Sequence, residues 1–334
     1  MGKCDVNPID VTVLTVAHNA GRFLPACLES VRAQQGVRWE HLVIDNHSSD
    51  HGVDYLLAEQ RQDSRLRVVW LAENEGCGGG LRHAGPEVRG RFVVFLDADD
   101  LMTPDRLARQ VTWLEANPAQ VAVYGHAEAI REDGTPLGER VFAAGSEDAL
   151  RRFADFSMPA CHSTGCVRAD SFRKVAARAV YRQAADYDAI CRLLDEGPVG
   201  FLPQVVTFYR RHPFQVSNTG RVRQACEGAA AGLVAARRHA GVPENPPDFA
   251  LWLAGLIGRA RSVGMVHAAF AIRCGEEGFA RLELYHARRA VRRGHGRSLV
   301  EVFTALFSRR AHSCPFAERW KLAWAGPLRV AGIR

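Results

Sequence analysis

Residues 91–100 read RFVVFLDADD, an apolar run that ends in three carboxylates. The apolar part is short and rich in β-branched and aromatic residues, which is typical of a buried strand. Asp97, Asp99 and Asp100 then crowd the end of that strand, where like charges repel and a divalent cation would relieve the repulsion. Alternatively, Asp99 and Asp100 only begin the turn into the next helix, and these residues alone leave both interpretations open.

Strand and helix signals alternate on both sides of this stretch, over the first 125 residues. Strands are predicted at 11–17, 41–45, 66–71, 91–96 and 121–124, with helical spacing of apolar residues between them. This alternation predicts an α/β fold, in which a mostly parallel sheet is flanked by helices. Ligands bind such sheets beyond the carboxyl ends of the strands, where the polar residues of this chain cluster.

Two helix starts follow from local chemistry. Thr103 is predicted to cap the helix after the acidic strand, with Pro104 at its first position. A shorter helix is predicted to begin near Leu81, after the glycine-rich stretch 76–80 (GCGGG). That stretch lacks the register of a dinucleotide or P-loop motif. Glycine there allows close backbone approach to a ligand, and Arg82 is placed to meet a phosphate.

Three further motifs carry candidate chemistry, each with a structural alternative. Asp45 in DNHSSD is predicted to bond a base or ribose, or to sit in an Asx turn before the next helix. One carboxylate of Asp186 and Asp188 is a candidate general base, unless both merely favour the start of a helix. His212 in YRRHP is a candidate for a diphosphate or a metal, or belongs to a solvated basic loop.

Composition narrows the class of protein. Of the 334 residues, 47% are apolar and 24% are charged, which is the balance of a globular protein and excludes a disordered chain. The longest apolar run, 249–258, is shorter than the about 20 residues that a membrane-spanning helix needs. The first residues lack the apolar stretch of a signal peptide, so a cytoplasmic location is expected. The nine cysteines include no Cys-x-x-Cys pair, and we expect reduced thiols rather than a zinc site.

Charge divides the chain in two. Residues 1–220 have a net charge of −5 and residues 221–334 of +11. We therefore predict one domain at 1–221 and an Arg-rich helical region at 222–334. The basic region favours peripheral contact with an anionic inner membrane surface or an acidic acceptor, or it forms a helical lid with a solvated basic face, and both remain open. Nucleic acid is not an expected partner, because aromatic residues do not interleave with the arginines.

Six segments, taken in order over residues 10–218, resemble the family 2 glycosyltransferases with the GT-A fold. They are VTVLTVAHNAGRFLPACLESVRAQ, HLVIDNHSSD, LAENEGCGGG, RFVVFLDADDLMTPDRL, AADYDAICRLL and FYRRHPFQVS. The resemblance implies a Rossmann-like sheet with a C-terminal helical region. It also implies inverting transfer of a hexosyl or N-acetylhexosaminyl group from a nucleoside diphosphate, with UDP expected, to a hydroxyl of a small-molecule, glycan or lipid-linked acceptor.

The same resemblance assigns roles to single residues. The donor would be bound by Ala17, His18, Asn19, Asp45, Arg82, Asp97, Ala98 and Asp99. Mn²⁺ or Mg²⁺ would be held by Asp99 and His212, and Asp186 would be the catalytic base. Two alternatives are a non-catalytic nucleotide-sugar-binding protein and a sugar nucleotidyltransferase. The latter is disfavoured because the first strand is followed by AHNAGRFLP rather than a glycine-rich basic signature.

Overall fold

The computed structural model describes residues 9–141, 160–176, 179–245 and 247–278, together with 282, 285, 286, 289 and 290. These residues fall into two compact units, one ending at Pro213 and the other beginning at Phe214. The predicted boundary at 221/222 lies slightly later in the chain. Residues 291–334 of the predicted basic region lie outside the described part.

Nine strands of the described residues form one mixed sheet. They are β1 (Val11–Ala17), β2 (Trp39–Asp45), β3 (Leu66–Trp70), β4 (Phe92–Phe95), β5 (Leu101–Met102), β6 (Ala122–Ile130), β7 (Pro136–Val141), β8 (Cys166–Arg168) and β9 (Val199–Arg210). Their order is β3-β2-β1-β4-β8-β6-β9-β5, and β7 pairs with β6. The strands β3, β2, β1 and β4 are parallel, as are β6 and β9, while β8 runs antiparallel to both of its neighbours.

Helices cover this sheet. In the first unit they are α1 (Leu24–Arg32), α2 (Gly52–Gln62), α3 (Gly76–Glu87), α4 (Arg106–Ala116), α5 (Ala169–Ala176) and α6 (Ala185–Glu196), with a short 3-10 turn at His162–Thr164. One apolar cluster joins β1 and β4 to α4, and another joins β2 to α1 and α2. All seven residues of β2 are buried, as expected for a strand covered on both faces. The predicted α/β architecture is confirmed.

The strand order places a switch point beside β1. The chain runs from β1 outward through β2 to β3 and then returns to add β4 on the other side of β1. The parallel pairing aligns the carboxyl ends of β1, β2 and β4, so the loops that follow them meet at one edge. A crevice at this position is where open α/β sheets bind ligands.

Two predicted helix starts are wrong. Helix α3 begins at Gly76 rather than near Leu81, because tertiary packing of the glycines overrides their low helix propensity. Helix α4 begins at Arg106, and Thr103 is not its cap. The Thr103 N–H bonds the Val206 carbonyl beside β9, which keeps the chain extended beyond the point where the helix was expected.

The second unit is helical. Its helices are α7 (Val216–Thr219), α8 (Arg221–His239), α9 (Pro247–Arg259) and α10 (Val263–Glu276). Helix α8 packs against α9 and α10, and Phe249 and Phe270 are fully buried. The buried Arg237 pairs with Glu277 and lies 4.3 Å from the Phe249 ring centroid. In the part of the chain that the structure describes, no helix is long and apolar enough to cross a membrane.

Candidate active site

The loops after β1 and β2 are joined by hydrogen bonds. Ala17 and Asp45 are paired residues at the ends of these two strands. The Asn46 N–H donates to the Ala17 carbonyl at 2.7 Å, and the Ser48 N–H donates to Asp45 Oδ1 at 2.9 Å. The Asn19 N–H donates to Ser48 Oγ at 2.9 Å, which closes the connection between the loops. The two predicted donor segments therefore form one wall.

Two residues of this wall remain exposed at its rim. His18 and Asn19 are both exposed, and Asn19 adopts a left-handed conformation with φ 51°. Asn19 Oδ1 accepts the Ser49 N–H at 2.8 Å, which holds the residue in that conformation. The His18 ring is thus available to a planar group that lies along the ends of β1 and β2.

The acidic motif forms a tight turn after β4. The Asp100 N–H donates to the Asp97 carbonyl at 3.0 Å. Asp100 is fully buried, while the Asp99 side chain keeps 25% of its surface exposed. Ala98, between Asp97 and Asp99, is also buried, so buried and partly exposed side chains alternate along the turn. The turn and a ligand-binding role are compatible, because they use different atoms of the same residues.

The end of β9 fixes this turn from the other side. The Arg210 N–H donates to Asp100 Oδ1 at 2.9 Å, and Arg210 Nε donates to the Asp99 carbonyl at 2.7 Å. His212 follows directly, and its Nε2 lies 2.9 Å from Asp99 Oδ2. The buried His212 ring also packs against Phe23, with 4.6 Å between ring centroids. The structure therefore brings together Asp99 and His212, the two predicted metal ligands.

These residues fit a divalent cation that takes its other ligands from phosphate and water. Neighbouring ligands of an octahedral Mg²⁺ stand about 3 Å apart, close to the observed separation of Asp99 Oδ2 and His212 Nε2. Asp100 Oδ2 is buried beside them without a direct hydrogen-bond partner. Among the described residues, no three histidine, cysteine or acidic side chains form a complete protein-only metal site. An ion that relies on substrate oxygens needs no such third ligand.

Burial raises the pKa of two carboxyls in this turn. The Asp100 pKa lies well above its usual value because of burial, and the Asp99 and Asp97 charges raise it further. Burial likewise raises the Asp97 pKa, which the Asp99 and Asp186 carboxylates also raise. Such crowded, desolvated carboxylates gain stability from a cation, and they are typical of functional sites.

Asp186 lies in the same electrostatic environment. It is half-buried in the first turn of α6, and its Oδ1 accepts the Tyr187 N–H at 2.8 Å. Burial raises the Asp186 pKa, and its charge in turn raises the pKa of Asp97. Asp188 is instead held by Arg192, with 2.9 Å between Oδ2 and Nε, and both side chains are buried. Of the two candidate bases, Asp186 is therefore the one near the acidic turn.

Two residues of the site escaped the sequence analysis. Ser163 Oγ accepts the Asp97 N–H at 2.8 Å. The His162 ring stacks on Phe95 with centroids 4.3 Å apart, and its charge lowers the pKa of both Asp97 and Asp186. Both belong to the turn before β8. No motif marks this turn, and only the antiparallel direction of β8 brings it to the ligand edge.

A buried arginine supports the acidic strand from below. Arg106 is fully buried, and its Nη2 donates to the carbonyls of Phe95 at 3.0 Å and Gly165 at 3.3 Å. Its Nε donates to Gln110 Oε1 at 2.9 Å and its Nη1 to Thr207 Oγ1 at 3.0 Å. One guanidinium thus joins β4, β9 and the turn before β8. A sequence signal existed, because Arg106 and Gln110 stand four residues apart beside the apolar stripe of α4.

The glycine-rich stretch and Arg82 make contacts of another kind. Arg82 Nη2 donates to Glu75 at 2.7 Å, and its Nη1 donates to the Ala179 carbonyl at 2.5 Å. The Cys77 N–H, at the start of α3, bonds the Arg182 carbonyl at 2.7 Å. Arg82 is thus engaged by protein groups, and a phosphate contact would require an exchange of these bonds.

Comparison with known proteins shows similarity to one family. The model for "Glycosyl transferase family 2" matches residues 12–176. TuaG of Bacillus subtilis, named for teichuronic acid biosynthesis, is 32% identical over 144 residues, which are 42% of this chain and 57% of TuaG. The Escherichia coli UDP-Glc:alpha-D-GlcNAc-diphosphoundecaprenol beta-1,3-glucosyltransferase WfgD is 30% identical over 123 residues, 37% of this chain and 47% of WfgD. The chain thus spans about half the length of these relatives.

Solved structures agree on the fold. S. aureus TarS 1-349 in complex with UDP-GlcNAc has a TM-score of 0.56 and 14% sequence identity, with 94% of this chain and 90% of that chain covered. The likeness supports the GT-A-like architecture expected from the sequence. The match to residues 12–176 and the named glycosyltransferases among its relatives show that about half of this chain is similar to glycosyl transferase family 2.

Proposed function

We propose that this chain transfers a hexosyl or N-acetylhexosaminyl group from a UDP-sugar to an acceptor hydroxyl, with inversion at the anomeric carbon. The observation that carries the proposal is the acidic turn after β4, where Asp99 Oδ2 lies 2.9 Å from His212 Nε2 and where the charge of Asp186 helps to raise the pKa of Asp97. One carboxylate on the acidic turn and another across from it are what such a displacement requires.

The donor would lie along the edge formed by β1, β2 and β4. His18 and Asn19, with Ala17 behind them, would flank the base, and Asp45 would bond the uracil or the ribose. Asp97 and Ala98 would face the ribose. Arg82 stays a candidate phosphate contact, subject to the exchange of its present bonds.

Asp186 would act as the base. It accepts the proton of the acceptor hydroxyl as that oxygen attacks the anomeric carbon from the face opposite the diphosphate. The bond from that carbon to the diphosphate oxygen breaks, and the diphosphate leaves with the electron pair. Asp99, with His212, would hold Mn²⁺ or Mg²⁺, which when bound neutralises charge on the leaving diphosphate.

The names of similar proteins support the donor class. TarS has been solved with UDP-GlcNAc, and the name of WfgD states UDP-Glc as its donor and a lipid diphosphate as its acceptor. A lipid-linked acceptor would also suit the net charge of +11 over residues 221–334, which favours an anionic surface. We therefore rank UDP-Glc and UDP-GlcNAc first among donors, and a lipid-linked glycan first among acceptors.

The metal assignment is tested by Asp99→Ala. We expect UDP to bind the wild-type chain more tightly with Mn²⁺ than with EDTA, and the variant to lose this difference, because the carboxylate that would hold the ion is gone. Titration calorimetry with UDP measures both affinities. Retention of the Mn²⁺ effect in the variant would remove Asp99 from the metal site.

The base assignment is tested by Asp186→Asn, with hydrolysis of UDP-Glc and UDP-GlcNAc followed as UDP release, so that water takes the place of the acceptor. We expect turnover to fall by roughly 10²- to 10⁴-fold while UDP affinity is unchanged. Asp195→Asn, an exposed isosteric change on the same helix, serves as the control. Wild-type turnover in Asp186→Asn would contradict the assignment of Asp186 as the base. If neither the wild type nor the variant releases UDP, a non-catalytic binding protein is favoured instead.

A further inference from the structure

The segment that precedes α6 is held by α3 through backbone hydrogen bonds. The Cys77 N–H donates to the Arg182 carbonyl at 2.7 Å, and the Gly78 N–H donates to the Tyr181 carbonyl at 3.1 Å. These amides belong to the first turn of α3, where N–H groups lack partners within the helix. Since α6 begins only a few residues later and carries Asp186 in its first turn, these bonds fix the entry of the chain into that helix.

The glycines explain how the two segments come so close. A Cβ at Gly78 would lie 2.3 Å from the Tyr181 carbonyl oxygen, and one at Gly76 would lie 2.7 Å from Arg182 Cα. Gly76 also has a φ of 73°, a conformation that favours glycine. Both obstacles are backbone atoms, which cannot rotate away as the end of a long side chain can. The glycines are therefore required for contact with the segment before α6.

Two arginines reinforce the contact. Arg82 Nη1 donates to the Ala179 carbonyl at 2.5 Å. Arg182 Nη2 donates to the Asn74 carbonyl at 2.5 Å and lies 3.3 Å from Asn74 Oδ1. We refer to Asn74, Gly76, Cys77, Gly78 and Arg82 together as the α3 clamp. Every one of its members contacts the segment 179–182.

The clamp is also tied to the loop after β2. Asn46 Nδ2 donates to Asn74 Oδ1 at 3.3 Å and to the Gly76 carbonyl at 3.2 Å. Asn46 Oδ1 in turn accepts the Glu75 N–H at 2.8 Å. Asn46 follows Asp45, so the clamp spans the distance from the predicted nucleotide wall to the helix of the predicted base.

We propose that the α3 clamp positions Asp186 relative to the donor, so that its glycines are positioning residues for the transfer step and not a phosphate loop. The inference rests on the proposed role of Asp186 as the base. This role accounts for the glycine-rich stretch and for Arg82, whose side chain donates to Glu75 and to the Ala179 carbonyl. A base displaced from its working position loses turnover while the donor wall, built on β1 and β2, stays intact.

The test uses the full chain and two pairs of variants. Gly78→Ala forces the Tyr181 carbonyl to move, and Gly85→Ala in the same helix is its control, since that Cβ would meet only Ala176 Cβ at 3.5 Å. Arg182→Ala removes, without a clash, the exposed side chain by which the segment 179–182 bonds Asn74 of the clamp. Its control is Arg173→Ala, which removes a similar bond, 3.0 Å to the Val88 carbonyl, at the far end of α3.

We expect Gly78→Ala to lower kcat for hydrolysis of UDP-Glc or UDP-GlcNAc by roughly ten- to hundredfold. Its KM and its calorimetric affinity for UDP with Mn²⁺ should stay within about twofold. Arg182→Ala should lose about three- to tenfold in kcat, with the same pattern. Amide hydrogen exchange of peptides across 179–190 should rise in both clamp variants and in neither control. This exchange measurement does not depend on activity, and Arg182→Ala remains informative if Gly78→Ala does not fold.

Opposite results separate the two proposals. If Asp186→Asn lowers turnover while the clamp variants match their controls in kcat and exchange, the inference fails and the proposed function stands. A loss of UDP affinity equal to the loss of kcat would also overturn it, because the clamp would then serve the donor wall. If Asp186→Asn keeps wild-type turnover, the proposed base fails and this inference falls with it.

Discussion

A half-buried carboxylate whose proposed role requires its charge reduces the stability of the fold, and Asp186 shows this at the scale of one residue. Its pKa is raised by burial, although the charge of His162 and the Tyr187 N–H oppose the shift. The folded protein therefore binds the Asp186 proton more tightly than the unfolded chain does. Above that raised pKa, the ionised side chain lowers the free energy of unfolding.

Asp186→Asn should accordingly raise the melting temperature near neutral pH while it lowers turnover. The rate of UDP-sugar hydrolysis in the wild type should fall as the pH drops through the raised pKa, because only the ionised carboxylate accepts a proton. The variant should lack this acidic limb. Thermal unfolding in EDTA and a pH–rate profile measure the two effects. A variant less stable than the wild type at pH 7 would contradict the burial argument.

Residues of the site were predictable from sequence where they follow a parallel strand. Asp45, Asp97 and Asp99 stand at the ends of apolar runs, and the sheet direction alone places them on one edge. His162 and Ser163 precede their strand, so their position depends on the antiparallel course of β8. That course follows from tertiary packing, which a strand of three residues does not reveal.

At the scale of elements, the glycines of α3 have different neighbours on different faces. A Cβ at Gly80 would lie 2.5 Å from Val16 Cγ1 of β1. Gly80→Ala should thus lower the free energy of unfolding by about 1–3 kcal/mol through overpacking. Gly85→Ala has ordinary contacts and should raise it by about 0.5–1 kcal/mol, as alanine favours the helix. Urea unfolding compares the variants, and equal shifts in one direction would contradict this difference.

The predicted elements agree with the structure where apolar periodicity is strong. Strand β1 has the predicted bounds, and β2 and β3 differ from them only by a residue or two at an end. The starts of α3 and α4 were wrong because each depends on a partner that is distant in sequence: the segment before α6 for α3, and β9 for α4. Local capping signals do not register such partners.

At the scale of the whole molecule, the pH dependence of stability has one contributor deep in the sheet. His41 in β2 is buried, and its Nε2 lies 3.0 Å from Thr15 Oγ1 of β1. Burial and, to a smaller extent, the Arg32 charge together lower the His41 pKa to about 3, against the opposing effect of Asp63. Between this value and the ordinary 6.5, the unfolded chain binds a proton that the folded chain does not.

The free energy of unfolding should therefore fall as the pH decreases from about 6.5 toward 3, with this histidine contributing up to about 1.4 kcal/mol per pH unit. His41→Gln should be less stable than the wild type at pH 7, and its stability should decline less steeply on acidification. Urea titrations at several pH values measure both slopes. Parallel declines would mean that His41 accepts a proton in the folded state.

The three-residue strand β8 links two parallel halves of the sheet, one built on β3, β2, β1 and β4 and the other on β6 and β9. Because β8 runs antiparallel to β4 and β6, the turn that precedes β8 lies at the same edge of the sheet as the loops that follow its neighbours. The candidate site is therefore built both from loops that follow parallel strands and from the turn that precedes β8. Substitutions at 162–164 can change one side of this site while the loops after β1 and β2 keep their hydrogen bonds, which gives the scaffold a separate place to diversify.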